Sequence, residues 1–107
     1  MAQVKWQGRA ERELYKILVK GFSEFGETVA NAFSEKVSLQ NETLCKFPEI
    51  GYPEPLLKDR KRLYRARHII KRFKMIYYFD VASNVVHVVD IWDTRREPSK
   101  LAKRIKK

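Results

Sequence analysis

Three prolines, Pro48, Pro53 and Pro55, fall within eight residues of this chain. Each lacks an N–H and fixes its φ, so neither a helix nor a central strand passes through such a stretch. Segment 47–55 therefore divides the chain into two parts with different hydrophobic periods. Before it, residues 3–7 read as a short strand with Val4 and Trp6 on one face. Ala10, Leu14, Ile17 and Leu18, extended by Phe22, then recur at the spacing of one helix face. Gly21 and Gly26 bracket an expected break. A second helical pattern covers 27–45, with Ala30, Phe33, Val37 and Leu44 inward, which predicts an antiparallel helical hairpin. After the prolines, 63–70, 73–80 and 85–92 are rich in β-branched and aromatic residues. Turns at 71–72 and 81–84 make them a three-stranded antiparallel meander. The run from Val85 to Val89 is apolar on both faces and predicts a strand covered on both sides. The tail, 99–107, is basic, and either a short helix or a frayed end fits it.

Composition narrows the class. A chain of 107 residues holds one ordinary core, so a single domain spanning 1–107 is expected. With 44% hydrophobic and 34% charged residues and only four Gly and four Pro, it does not read as disordered. No apolar run approaches the ~20 residues of a membrane span. Charges at Lys5, Arg9, Glu11, Arg12, Glu13, Lys16 and Lys20 interrupt any signal-peptide pattern. Cys45 is the lone cysteine, so no internal disulfide forms and no zinc cluster can be built on cysteine. Two His at positions without ligand spacing predict neither a metal nor a cofactor, and no Ser-His-Asp set or Gly-rich phosphate loop is present. The expectation is a small, soluble, intracellular domain.

The net charge of +10 is concentrated. Residues 1–57 nearly balance, with seven Lys or Arg against eight acids. Residues 58–74 carry nine Lys or Arg against one Asp, and 95–107 carry seven against Glu97. Five of the nine bases in the first block are Arg, whose planar fork suits phosphate and carboxylate. These blocks predict a polyanion or an acidic protein as partner. Arg62, Arg72 and Arg96 are the candidates for nucleic-acid contact. Trp6 and Trp92 could stack on bases, Trp92, at the end of a strand beside Arg95, being the better candidate; core packing is the stronger reading for both.

Strand alternation puts Arg65 and Arg67 on one face, with Tyr64, Ala66 and His68 on the other. Lys74 lies across the next turn. Pairing Arg67 with Lys74 would set all three cations on one face. A register shifted by one would send Lys74 to the opposite face.

Several stretches together resemble the RelE/ParE superfamily, the toxins of type II toxin–antitoxin modules, often described as plasmid stabilisation proteins. They are Leu63-Tyr64-Arg65-Ala66-Arg67, Phe73-Lys74-Met75-Ile76-Tyr77-Tyr78, the run from Val85 to Trp92, and Asp93-Thr94-Arg95-Arg96. Val4-Lys5-Trp6 with its following helix resembles the family's opening. Phe25-Gly26-Glu27, with a second helix ending in Phe47-Pro48-Glu49-Ile50-Gly51, resembles the ParE-like branch. The resemblance runs from about residue 3 to 101. It implies an α+β fold, with an N-terminal short strand and a helical hairpin packed on a small, mostly antiparallel sheet. It also implies a cytoplasmic toxin neutralised by an acidic antitoxin.

The resemblance implies one of two mechanisms. RelE-like members cut mRNA in the ribosomal A site, without metal, through attack of the ribose 2′-hydroxyl on the adjacent phosphate. ParE-like members poison DNA gyrase without nuclease chemistry. Arg65, Arg67, Lys74 and Arg95 stand at the positions that supply the nuclease's cations. Leu101 stands where a Tyr or His is expected, and arginine is a poor base at neutral pH. His68, His87, Tyr78, Asp93 and Glu97 are weak substitutes, each better explained by packing or pairing. The retained cations favour mRNA cleavage at the ribosome; Leu101 and the helical hairpin favour gyrase poisoning. A degenerate binding module is the minor third reading.

Overall fold

Gln3–Trp6 forms strand β1, and the chain turns at Gln7 into helix α1, Gly8–Phe25. The computed structural model describes residues 1–106. Helix α2, Glu27–Lys46, follows after a single residue. Gly26 sits at φ +90°, a conformation that L side chains rarely adopt, and it ends one helix and starts the next. The expected break at Gly21 does not occur. Gly21 lies inside α1, where an isolated glycine costs about 1 kcal/mol relative to Ala and is tolerated. Phe22 is exposed, so the buried stripe of α1 rests on Ala10 with Leu14, Ile17 and Leu18.

The proline-rich segment forms a two-residue strand β2, Tyr52–Pro53, and a 3-10 turn, Pro55–Leu57. Proline is admissible in β2 because that strand is an edge. Strands β3 (Tyr64–Ile70), β4 (Phe73–Asp80) and β5 (Val85–Asp93) form the predicted meander. The sheet order is β1-β5-β4-β3-β2, with β1 parallel to β5 and the other pairs antiparallel.

The sheet has a packed layer on each side. Phe33, Val37 and Leu44 of α2 and Ala10 of α1 cover Met75, Tyr77, Val86, Val88 and Ile91. On the other face, Leu57, Leu101 and Ile105 cover Tyr64, Ala66, Ile76, Val89 and Trp92. Among the described residues the basic tail is helical rather than frayed. It forms α3, Pro98–Arg104, and Leu101 and Ile105, four residues apart, anchor it. The β4–β5 register shifts between Ile76, opposite Asp90, and Tyr77, opposite Val88. The extra residue, Val89, is a bulge that turns both Val89 and Asp90 toward the α3 side.

Candidate functional site

Register decides where the predicted cations lie. His68 pairs with Lys74, and Arg67 pairs with Met75. Directly paired residues share a face, so Lys74 lies on the α3 side with Trp92, while Arg65 and Arg67 lie on the α1–α2 side. The expectation that Arg65, Arg67 and Lys74 line one face fails, because the register is slipped by one residue from the pairing that it needs. Lys74 is also not open. It is 8% exposed and ion-paired with Glu54, itself 1% exposed. Glu54 Oε1 accepts no aligned hydrogen bond, so the Lys74 contact is electrostatic, while Oε2 accepts from Leu56 N at 3.0 Å and caps the 3-10 turn. Lys74 thus fastens segment 54–57 to the sheet.

Arg65 and Arg67 do sit together, half-buried beneath the end of α2. Arg65 Nη1 donates to the Gly51 carbonyl at 2.8 Å, and Arg67 Nε donates to Gln40 Oε1 at 2.9 Å. Tyr77 lies opposite Arg65 and accepts from Gly51 N through its hydroxyl at 2.9 Å. Burial pushes the Tyr77 phenol above its ordinary value; the Gly51 N–H and the two guanidinium charges oppose the shift. A Cβ at position 51 would lie 2.7 Å from that hydroxyl and 2.8 Å from the Ala66 carbonyl, which explains the glycine. Arg65 and Tyr77 thus pin the loop after α2, and Arg67 ties α2 itself to the sheet.

The remaining candidates disperse. Arg95 is exposed at the far end of β5, its Nε 3.7 Å from Asp93 Oδ1. Asp93 is partly desolvated, yet the Arg95 N–H and the Arg72 guanidinium hold it below the usual carboxylate range. Arg72 Nε lies 3.1 Å from Asp93 Oδ2, and its guanidinium covers the Phe73 ring at 4.7 Å. Trp92 is 1% exposed, packed in the α3-side core with Arg96 5.0 Å above its ring, so it offers no face to a base. Arg62 lies at the opposite end of the strands, 4.2 Å above Tyr78. Tyr78 in turn stacks on His87. His87 therefore packs on a ring, where a backbone partner was the simpler expectation. His68 is exposed, its ring against the Lys71 carbonyl, and Glu97 accepts from Ser99 N to cap α3. Leu101 is fully buried.

Sequence reasoning missed Asp90. Its Oδ1 accepts from Arg104 Nη2 at 2.7 Å, and the same nitrogen lies 3.0 Å from Glu13. Burial pushes Asp90 up from 3.8 to about 6; Arg104 opposes this and Glu13 adds to it. The folded value exceeds the unfolded one, so the group's stabilising contribution is full below pH ~4 and is lost as pH rises through about 6. A rise of this size corresponds to roughly 3 kcal/mol. In urea denaturation from pH 4 to 7, the native chain should lose stability relative to Asp90→Asn across that window. The opposite trend would mean that the Arg104 charge outweighs burial. No local pattern marks Asp90, because the bulge that buries it depends on the pairing with β4.

Over residues 4–98 the sequence matches the family described as the ParE toxin of the type II toxin–antitoxin system, parDE. No curated protein matches the chain. Among solved structures, it resembles one from a chromosomal ParDE TA system of P. aeruginosa, with a TM-score of 0.67 and 16% identity, covering 85% of this chain and 94% of that one. A metal-bound toxin from Helicobacter pylori superimposes with a TM-score of 0.61 and 17% identity, covering 89% of this chain and 97% of that one. At these identities the two structures support the α+β fold. The match across 4–98 goes further: this chain belongs to the ParE toxins of type II toxin–antitoxin systems.

Proposed function

We propose that this toxin arrests growth by poisoning DNA gyrase without performing chemistry of its own. Its family membership carries with it an antitoxin as partner. The observation that carries the gyrase reading is the burial of Lys74 against Glu54, on the opposite sheet face from Arg65 and Arg67. Metal-free mRNA cleavage needs a base, an acid and several cations converging on one phosphate. Arg65 and Arg67 are engaged with Gly51 and Gln40, and Leu101 fills a core position where a proton-transferring ring would be needed. A poison needs only a surface that engages its target, and Arg95 and Arg96 remain exposed for that. Gyrase and its DNA place the action in the cytoplasm.

Induction in bacteria tests this. Cleaved gyrase–DNA complexes should accumulate while labelled amino-acid incorporation continues at first. An immediate block of incorporation with mRNA cut in the ribosomal A site would instead establish the nuclease reading.

A further inference from the structure

Three segments far apart in sequence meet on the α3 side of the sheet. The start of α1 supplies Arg9 and Arg12, the stretch before β3 supplies Arg62, and the C-terminal segment supplies Arg104 and Lys106. They line an open cleft of about 300 Å³ floored by Tyr64, with no acidic side chain in its lining. Arg104 is spent on Asp90 and Glu13, and Arg9 donates to the Arg104 carbonyl. Among the described residues, Arg12, Arg62 and Lys106 have no carboxylate within 4.0 Å. A second hollow of about 560 Å³ adjoins through Arg62 and Lys106 and adds Lys61, with Asp59 ion-paired to Arg60 beside it.

We propose that this cleft binds the phosphate backbone of duplex DNA. Like charges brought together repel, and a polyanion relieves that repulsion while releasing its own counterions. Arg predominates over Lys, as suits forked contact with phosphate oxygens. The surroundings select among anions. An acidic peptide seated in a groove also needs apolar anchors, and here the apolar lining, Val89 and Ile105, is buried at 6% and 7% exposure. Single strands need open aromatic faces for their bases. Tyr64 is 3% exposed, and Tyr78 is held between Arg62 and His87. A duplex, which presents phosphates and keeps its bases stacked inside, needs neither. The site does not depend on gyrase being the target.

Fluorescence anisotropy of the full chain with a short labelled DNA duplex tests the site. Three unpaired cations predict a slope of log affinity against log salt near −3, at roughly −0.9 per phosphate neutralised. Arg12→Gln with Arg62→Gln should weaken binding about 10-fold or more and flatten the slope by about two. Both side chains are exposed, so circular dichroism should not change, and loss of the Arg62 contact with Tyr78 should lower the thermal midpoint by only a few degrees. Lys36→Gln, an exposed cation on α2 across the sheet from the cleft, should leave binding intact. The proposal falls if the native chain does not bind the duplex, if the double variant binds it unchanged, or if Lys36→Gln weakens binding as much. It falls equally if single-stranded RNA or a poly-glutamate peptide binds more tightly than the duplex and loses that affinity in the double variant.

Discussion

Lys74→Met is expected to cost about 3–5 kcal/mol of folding stability, because it leaves the Glu54 carboxylate buried without its counter-charge. Adding Glu54→Gln should regain most of that loss. The second change removes the stranded charge and keeps a side-chain oxygen to accept from Leu56 N. The two single changes are therefore strongly non-additive, and urea denaturation of all four proteins measures their coupling. The toxicity of the refolded double variant carries the functional half of the prediction. If Lys74 only fastens segment 54–57 to the sheet, the double variant poisons cells like the native chain. A stable but harmless double variant would return Lys74 to the working surface.

Trp92→Ala should be about as costly, at 3–5 kcal/mol, although the sequence also offers Trp92 as a ring for stacking on nucleic acid. Its ring is a central member of the α3-side core, and Arg96 and Arg104 lie over it at 5.0 and 5.4 Å. The change opens a cavity against Leu101 and Ile105 and removes two cation–π contacts worth roughly 0.5–1 kcal/mol each. The loss belongs in the denaturation midpoint. Duplex-DNA affinity, measured on the fraction that remains folded, should be unchanged. A variant of native stability with weakened DNA binding would show that the ring meets its ligand directly.

What could be read in the sequence was whatever local periodicity encodes. The alternation of Arg65 and Arg67 with Tyr64, Ala66 and His68, and the apolar run at Val85, specify strands and their faces one at a time. Three prolines within eight residues were enough to stop a helix, yet β2 was too short for any period to show. Gly21 and Gly26 look alike as letters; only the second needs a positive φ, which depends on where the hairpin must turn. The site failed at the level of pairing. Whether Lys74 faces Arg67 or His68 rests on a two-residue turn with Lys71 at φ 51° and on a register irregularity between His68 and Ile70. A shift of one residue there reverses every side chain of β4. Glu54 precedes Lys74 by twenty positions and Asp90 is buried by a bulge, so neither contact leaves a local trace. The duplex-binding cleft is further from view still, since its cations come from residues 9 to 106. The tail left a short helix and a frayed end equally open in the sequence; what decides it is the docking of Leu101 and Ile105, four residues apart, on the sheet.

The family resemblance located the strands, and the structure separates the four cations that it singled out. Arg65 holds the loop after α2, Arg67 ties α2 to the sheet, Lys74 neutralises Glu54 in a core, and Arg95 is exposed beside Asp93. A fold that keeps these four apart can still meet a large target by its surface.

The most direct measurement uses purified components: toxin with gyrase, ATP and supercoiled plasmid in one tube, and toxin with translating ribosomes and end-labelled mRNA in another. The account predicts linear plasmid, trapped with gyrase on denaturation, in the first and intact message in the second. Unbroken plasmid beside mRNA cut at the A site would contradict it.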